Sequence, residues 1–387
     1  MRILRNSLIS ALCLLIAGCL AQKTPKTEQI SSRKSANAPE ILNDDAKLQA
    51  PRGTDALEKL AAKFNANGAL AIKIFGDSHV ASDDLAHGFR EEFFGSNAQN
   101  SVGFAYAAMP RYQKSDFLSY KISGFEILNS QRDEFGDYPL CGVIARSQKK
   151  GASVTLQTKN LSAREYEFEI LFKGVRAGEI LKIEAPGFSK ILTGDTARKS
   201  AKFNLKFPVK ITALQAGALI EGYKILAKNA RYVEHCGING AKSDLWQKWR
   251  TDAFGELAQS VYDLIALEYG TNDAMDPSLD ILKFRKNMDE LIKKIRQNAP
   301  NAAILIIAPP PVIKPKFNAV KKALKEAASA NGAIFYDIDA FVSANGGKRA
   351  WIEQGLSKTD VHLLPEGYKK VGKDLAEQLK NMLKSAL

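Results

Sequence analysis

A serine, a histidine and an acid can together cleave an ester, and this chain offers all three in two short stretches. "IFGDSHVASDD", residues 74 to 84, ends an apolar run at Phe75 and then places Gly76, Asp77, Ser78 and His79. "KTDVHLLPEGY", residues 358 to 368, holds His362 with Asp360 two residues before it. A neutral imidazole takes the proton from a serine hydroxyl and returns it to a leaving alcohol, while a buried carboxylate on the other ring nitrogen fixes the useful tautomer. The pattern makes Ser78 a candidate nucleophile, His362 a candidate base and Asp360 the acid that orients it. A tetrahedral intermediate also needs donors aimed at its oxygen. "HCGINGAKSD", residues 235 to 244, offers backbone N–H groups at Gly237 and Gly240, and "EYGTNDAMD", residues 268 to 276, offers the side-chain amide of Asn272.

Each stretch has a plainer reading. Ser78 or Ser82 could cap the next helix, His362 could be a satisfied loop histidine, and the glycines and Asn272 could be turn formers. The elbow Gly-x-Ser-x-Gly of many hydrolases is absent. What favours chemistry is the combination, because every polar piece follows a strand candidate. "AIKIF" (71–75), "ARYVEHC" (230–236), "VYDLIALEYG" (261–270), "AAILIIA" (302–308) and "AIFYDI" (333–338) read as strands. The near-continuous apolar ones suit a sheet covered on both faces. Between them, Leu85, Phe89 and Phe93, then Phe284, Met288, Leu291, Ile292 and Ile295, then Val320, Ala323, Leu324 and Ala327, and finally Val371, Leu375, Leu379 and Met382 recur at helical spacing. Strands alternating with helices imply a parallel sheet in a layered α/β domain, and open sheets of this kind bind ligands at the C-terminal ends of their strands.

Residues 105–230 have another texture. "ASVTLQTK", "EYEFEILFK", "EILKIEA" and "AKFNLKF" are strand-length pieces, several with alternating polarity, separated by Gly, Pro and Ser without a long helix. That pattern predicts a β-sandwich inserted into the α/β domain.

"GDSH" at 76–79, "GINGA" at 237–241, "GTND" at 270–273 and "DVHLLPEGY" at 360–368 resemble, in order, the blocks of the SGNH/GDSL hydrolases. The resemblance covers about 54–104 and 230–387. It implies a three-layer SGNH hydrolase fold with Ser78 as nucleophile, the Ser78 N–H, Gly240 and Asn272 as the oxyanion hole, and His362 as base. The family's last block usually places its acid three residues before the histidine; here that position is Thr359, and Asp360 lies two before. Asp77 is expected to tie down the nucleophile turn and Asp273 to organise the asparagine loop.

The N-terminus adds a compartment. Arg2 and Arg5 precede the apolar run "SLISALCLLIAG", and "LIAGC" resembles a bacterial lipobox, so Cys19 is expected to become a lipidated first residue after loss of 1–18. Leu20 lacks the aspartate that signals inner-membrane retention in such lipoproteins, which favours a periplasmic protein anchored to the outer membrane. Residues 19–53 read as lipidated start and polar tether; the hydrolase parts are 54–104 and 231–387, flanking the inserted sandwich. Removing Arg2 and Arg5 lowers the net charge from +13 to +11, without a cluster that would read nucleic acid. The remaining Cys141 and Cys236 are either a disulfide or two separate buried thiols. No metal or cofactor is expected, and a monomer is expected.

Export together with a β-rich insertion between the first two blocks closely resembles the peptidoglycan O-acetylesterases of Gram-negative bacteria. That resemblance implies removal of 6-O-acetyl groups from N-acetylmuramic acid on peptidoglycan strands, through an acetyl-serine. Another acylated glycan or a lipid as substrate, acyl transfer to a sugar, and a non-catalytic envelope-binding protein are the alternatives.

Overall fold

The structure, a computed structural model, describes residues 44–51, 54–95 and 101–385. Cys19, the signal segment and most of the tether lie outside them. Strand β1 is Leu70–Gly76. The antiparallel strands follow: β2 Gly103–Ala105, β3 Leu118–Ser123, β4 Phe125–Asn129, β5 Val143–Ser147, β6 Ser153–Thr158, β7 Tyr166–Lys173, β8 Gly178–Ala185, β9 Phe188–Gly194, β10 Lys199–Leu205, β11 Val209–Ala213 and β12 Leu219–Leu226. The last four are β13 Arg231–Gly237, β14 Leu264–Glu268, β15 Ala303–Ala308 and β16 Ile334–Asp337.

The strands β13-β1-β14-β15-β16 form one sheet, in that order and all parallel. Its alternation builds the layers. Leu70, Ile72 and Ile74 of β1 pack in one core with Leu85, Phe89, Val371 and Leu375 from the helices Asp84–Phe94 and Pro365–Ser385. Ala71 and Phe75 pack on the other side with Met288, Ile292, Val320 and Leu324 from the helices Ile281–Asn298 and Phe317–Ala330. Burial of each such side chain contributes roughly 1.5–3 kcal/mol, which fixes the strands against both helix layers.

Strands β2–β12 build two antiparallel sheets. One runs β10-β7-β12-β5-β4 with β2 beside β12, the other β3-β6-β11-β8-β9. Alternate residues such as Tyr166, Phe168, Ile170 and Phe172 of β7 and Val209 and Ile211 of β11 fill a shared core. The expected α/β fold interrupted by antiparallel sheets is what the chain forms. The described residues nevertheless form one compact unit. Leu128, Tyr138, Leu140, Ile144 and Leu219 of the interrupting segment belong to the core beneath the parallel sheet, and Cys141 is joined to Cys236 of β13 by a disulfide with Cα atoms 5.1 Å apart.

Folded contacts begin earlier than the polar composition suggested. Gln49 exchanges backbone hydrogen bonds of 2.9 and 2.8 Å with Phe335, and the Leu48 N–H donates to Gln378 Oε1 at 2.6 Å. Residues 44–51 therefore cover the open edge of β16 instead of belonging to the tether, as an exposed edge strand favours. Among the described residues, no helix is long and apolar enough to cross a membrane.

Candidate active site

The strand order places β1 between β13 and β14, so successive connections from β1 leave in opposite directions along the sheet. A crevice opens at such a switch point, beyond the C-terminal ends of the strands. Ser78 follows β1, Gly240 follows β13 and Asn272 follows β14. All three line one cleft of about 630 Å³, together with His362.

Ser78 is the first residue of a short helix, Ser78–Ala81, that starts directly after the strand. Its cap is Asp77, whose Oδ1 accepts the His79 N–H at 2.9 Å. Neither Ser78 nor Ser82 is an N-cap. The Ser78 hydroxyl is instead 3.0 Å from His362 Nε2, and the Ser78 N–H lies in the first turn, where backbone donors have no intrahelical acceptor. Gly76 must lack a side chain, since a Cβ would stand 2.9 Å from the Glu268 carbonyl oxygen.

His362 Nδ1 lies 3.2 Å from Asp360 Oδ1, and the same oxygen accepts the His362 backbone N–H at 2.8 Å. The two-residue spacing thus closes locally, as aspartates do when they bond the backbone two residues on. Asp360 is not the buried carboxylate expected: its side chain is 58% exposed. The reason is the loop. Its ends are tied by the Lys358 N–H to the His362 carbonyl at 3.0 Å, and Lys348 Nζ reaches the Asp360 carbonyl at 2.5 Å, leaving the carboxylate on the outer side. Partial burial works to raise the Asp360 pKa, but bonds from the His362 N–H and ring and the charges of His362 and Lys358 hold it below the usual value.

Gly240 is half-buried at φ +80°, a conformation that favours glycine. Gly237 has a packing role, because a Cβ there would collide with the backbone of Ala81. Asn272 Nδ2 donates to Asp77 Oδ2 at 2.9 Å and to the Ala241 carbonyl at 3.0 Å. Both amide hydrogens are therefore engaged in the free protein, and they clamp the Gly240 loop to the nucleophile turn. Asp273 accepts from the N–H of Ser243 at 3.2 Å and from its hydroxyl at 2.8 Å. It ties the asparagine helix Thr271–Met275 to the Gly240 loop rather than organising its own loop alone.

Beneath Ser78 lies a group in which only Asp77 had an expected role, that of tying down the nucleophile turn, which its bonds from His79 N–H and Asn272 fit. Asp77, His79 and Glu268 are buried, with their ligand-type atoms within 4.8 Å of one another. Both His79 nitrogens are occupied, by the Tyr368 hydroxyl at 2.7 Å and the Thr271 hydroxyl at 2.9 Å. Burial, followed by the charges of His362 and Lys348, pushes His79 down to about 3, so its ring is neutral. Burial pushes Asp77 up to about 7 despite the donors around it. Burial and the Asp77 charge hold Glu268 well above the usual carboxylate range. Both carboxyls are thus pushed toward their protonated forms. The signal in the sequence was Glu268 itself, an acid ending the apolar run "LIALE".

A family model described as GDSL-like lipase/acylhydrolase matches residues 215–370. A second, described as the N-terminal part of peptidoglycan O-acetylesterase, matches residues 101–209. A solved structure of a peptidoglycan O-acetylesterase superposes with a TM-score of 0.78 at 24% identity, covering 87% of this chain and 99% of that one. A family two carbohydrate esterase from Clostridium thermocellum, solved with cellohexaose, gives 0.32 at 13% identity, covering 70% and 100%. One of the same family from Cellvibrio japonicus gives 0.32 at 9%, covering 69% and 98%. No curated protein matches. With the four sequence blocks gathered at the end of a parallel sheet and the family matches on either part, the chain belongs to the SGNH/GDSL hydrolase superfamily, its α/β core interrupted by a segment similar to the N-terminal part of peptidoglycan O-acetylesterases.

Proposed function

We propose that this protein is a serine esterase that removes 6-O-acetyl groups from the N-acetylmuramic acid of peptidoglycan. The observation that carries the chemistry is the 3.0 Å contact between Ser78 Oγ and His362 Nε2 in a cleft also lined by Gly240 and Asn272. The likeness of residues 101–209 to the N-terminal part of peptidoglycan O-acetylesterases supports the substrate.

Ser78 Oγ attacks the acetyl carbonyl as its proton passes to His362 Nε2. Asp360 accepts a hydrogen bond from Nδ1–H and stabilises the imidazolium without taking its proton. The carbonyl oxygen becomes an oxyanion held by the N–H groups of Ser78 and Gly240 and by Asn272, which gives up one of its two internal hydrogen bonds to reach it. Collapse breaks the bond to the sugar oxygen, and His362 protonates that oxygen as the alcohol leaves. Water then loses a proton to His362 and attacks the acetyl-serine, and the second collapse releases acetate and returns the proton to Ser78. Lipidation at Cys19, residence in the periplasm and attachment to the outer membrane complete the reading, since they put the enzyme beside its polymer.

The test is acetate release from O-acetylated peptidoglycan by the purified protein and by Ser78→Ala, with acetylated xylan alongside. The parent is expected to deacetylate peptidoglycan, and Ser78→Ala to fall to near background, because covalent catalysis is lost. Near-parent activity in Ser78→Ala removes Ser78 from the site; preference for xylan removes the substrate.

A further inference from the structure

The connection between β2 and β3 makes a tight turn at the mouth of the cleft. Tyr112 stands at its tip, 78% exposed. Its φ is +64°, a left-handed conformation that costs a non-glycine residue roughly 1–2 kcal/mol. The residues around it are held firmly. Gln113 is buried and its Nε2 donates to the Gly237 carbonyl at 2.8 Å. The Lys114 N–H donates to the carbonyl of Ala81, in the nucleophile helix, at 3.4 Å. Asn239, beside Gly240, donates to the Arg111 carbonyl at 3.4 Å. The turn is thus fastened both to the nucleophile helix and to the Gly240 loop, and what it holds out into solvent is an aromatic ring. The Arg111 guanidinium lies 4.6 Å from the ring centroid, so one side of the ring is braced by a cation while most of its surface stays open. Tyr112 lines the same cleft as Ser78. An aromatic held in a left-handed backbone beside reacting groups points to a binding role rather than to packing.

We propose that Tyr112 is a platform on which one pyranose ring of the substrate strand stacks while an acetyl ester of that strand meets Ser78. This rests on the esterase reading above and adds to it the residue that holds the sugar. A pyranose presents a face of C–H groups bordered by hydroxyls. A tyrosine offers a flat apolar face for the first and a phenol for the second. The cleft sets Met275, Val361 and Leu363 beside Ser82, Asp84 and Lys114, apolar and charged groups side by side, as the C–H faces and hydroxyl edges of a sugar require.

The variant to use is Tyr112→Gly, because glycine accepts the left-handed backbone without strain and keeps the turn. Initial rates would be measured on O-acetylated peptidoglycan and on 4-nitrophenyl acetate, with Tyr112→Phe and Tyr112→Trp alongside and melting temperature as a check on folding. In Tyr112→Gly, KM for peptidoglycan is expected to rise roughly tenfold, as loss of an aromatic contact implies, with kcat changing much less. The loss in kcat/KM on the small ester should be several times smaller, and Phe and Trp should recover most of the affinity. Equal losses on both substrates, or an unchanged KM for the polymer, would overturn the platform. So would a Phe variant as weak as Gly, since the ring would then not be the recognised group. If the parent acts on acetylated xylan but not on peptidoglycan, the substrate reading fails separately, and the same KM comparison on xylan decides the platform.

Discussion

Two clusters of buried acid lie on neighbouring strands of the parallel sheet, and they are built differently. At the seam with the antiparallel sheets, Glu234 of β13 accepts from Lys73 Nζ, from the Tyr262 hydroxyl and from the Phe104 N–H, each at 2.6 Å. Lys73 is itself set among the rings of Phe104, Phe75 and Tyr262, 4.9 to 5.4 Å from their centroids. Burial alone would raise Glu234, but the cations of Lys73 and Lys224 hold it below the usual range. Under the cleft, Asp77 and Glu268 are just as buried, yet among the described residues neither forms an ion pair with a lysine or arginine. Their surroundings are Asn272, His79, Tyr368 and each other. A charge with its counterion is a joint: Glu234 binds β2 to β1 and β13. An acid without one is pushed toward its protonated form, and here such an acid sits one residue from the candidate nucleophile, as perturbed groups tend to at functional sites. The contrast separates a region where mutation should cost stability from one where it should cost activity.

The largest effect should come from the seam. Lys73→Met takes from buried Glu234 the cation bonded to it and leaves only Lys224 nearby; breaking such a buried pair typically costs about 3–5 kcal/mol. In a chain of this size that is a fall of about 5–10 °C in Tm, read by calorimetry, while kcat/KM on a small acetyl ester stays within about twofold well below the transition. An unchanged Tm would break the contrast. The cleft should behave in reverse. Asn272→Ala removes an oxyanion donor, so kcat should fall about 100-fold or more with a smaller change in KM. The two internal bonds of Asn272 make its Tm fall too, but by less than that of Lys73→Met. An unchanged kcat would leave Asn272 as a clamp and nothing more. Asp360→Asn comes next. Because the carboxylate is exposed and gives one oxygen to both the ring and the backbone of His362, the loss in kcat should be near 100-fold, the mild end for a triad acid. Activity close to the parent would leave a serine–histidine pair with no side-chain acid.

Much of this was visible in the chain itself, for reasons particular residues show. Strand β14 is unbroken from Leu264 to Leu267, and β15 from Ala303 to Ala308, because both sheet faces are covered. Tyr166, Phe168, Ile170 and Phe172 alternate because only one face of their sheet meets the core. The Ser78, Gly240 and Asn272 blocks were legible since each follows a strand, and strand ends are where this architecture opens; the His362 block, expected to do the same, follows the helix Gly347–Glu353 instead. What stayed hidden depends on contacts distant in sequence. Glu268 reads as the last residue of an apolar strand until Asp77, nearly 200 residues earlier, is beside it. Tyr112 has no local signal, because its exposure is imposed by Gly237 and Ala81 holding the turn from below. Cys141 and Cys236 could not be paired or separated before β13 was placed under the segment carrying Cys141. The polar residues 44–51 look like linker, and only the open edge of β16 gives them a partner.

The smallest expected effect tests the raised acids directly. In the folded protein Asp77 titrates at about 7 and Glu268 above the usual carboxylate range, whereas in the unfolded chain both ionise near their ordinary values of roughly 4. The folded state therefore retains protons that the unfolded state releases. Stability from this pair is fully present below about pH 4 and is lost as pH rises, by about 1.4 kcal/mol per pH unit for each retained proton. Glu268→Gln keeps a donor toward Asp77 and cannot ionise, so one retained proton disappears from the balance and the Asp77 carboxylate no longer faces a second acid. Tm of the variant should match the parent at pH 5 and exceed it by a few degrees at pH 8, where the parent has lost the most. His79 works in the other sense: its folded value of about 3 adds stability above its unfolded pKa of about 6.5, lost as pH falls. That contribution is common to both proteins and cancels in the difference between their Tm curves. If the two curves run parallel from pH 5 to 8, Glu268 carries no proton for Asp77, and the floor of the cleft is ordinary buried structure like the seam.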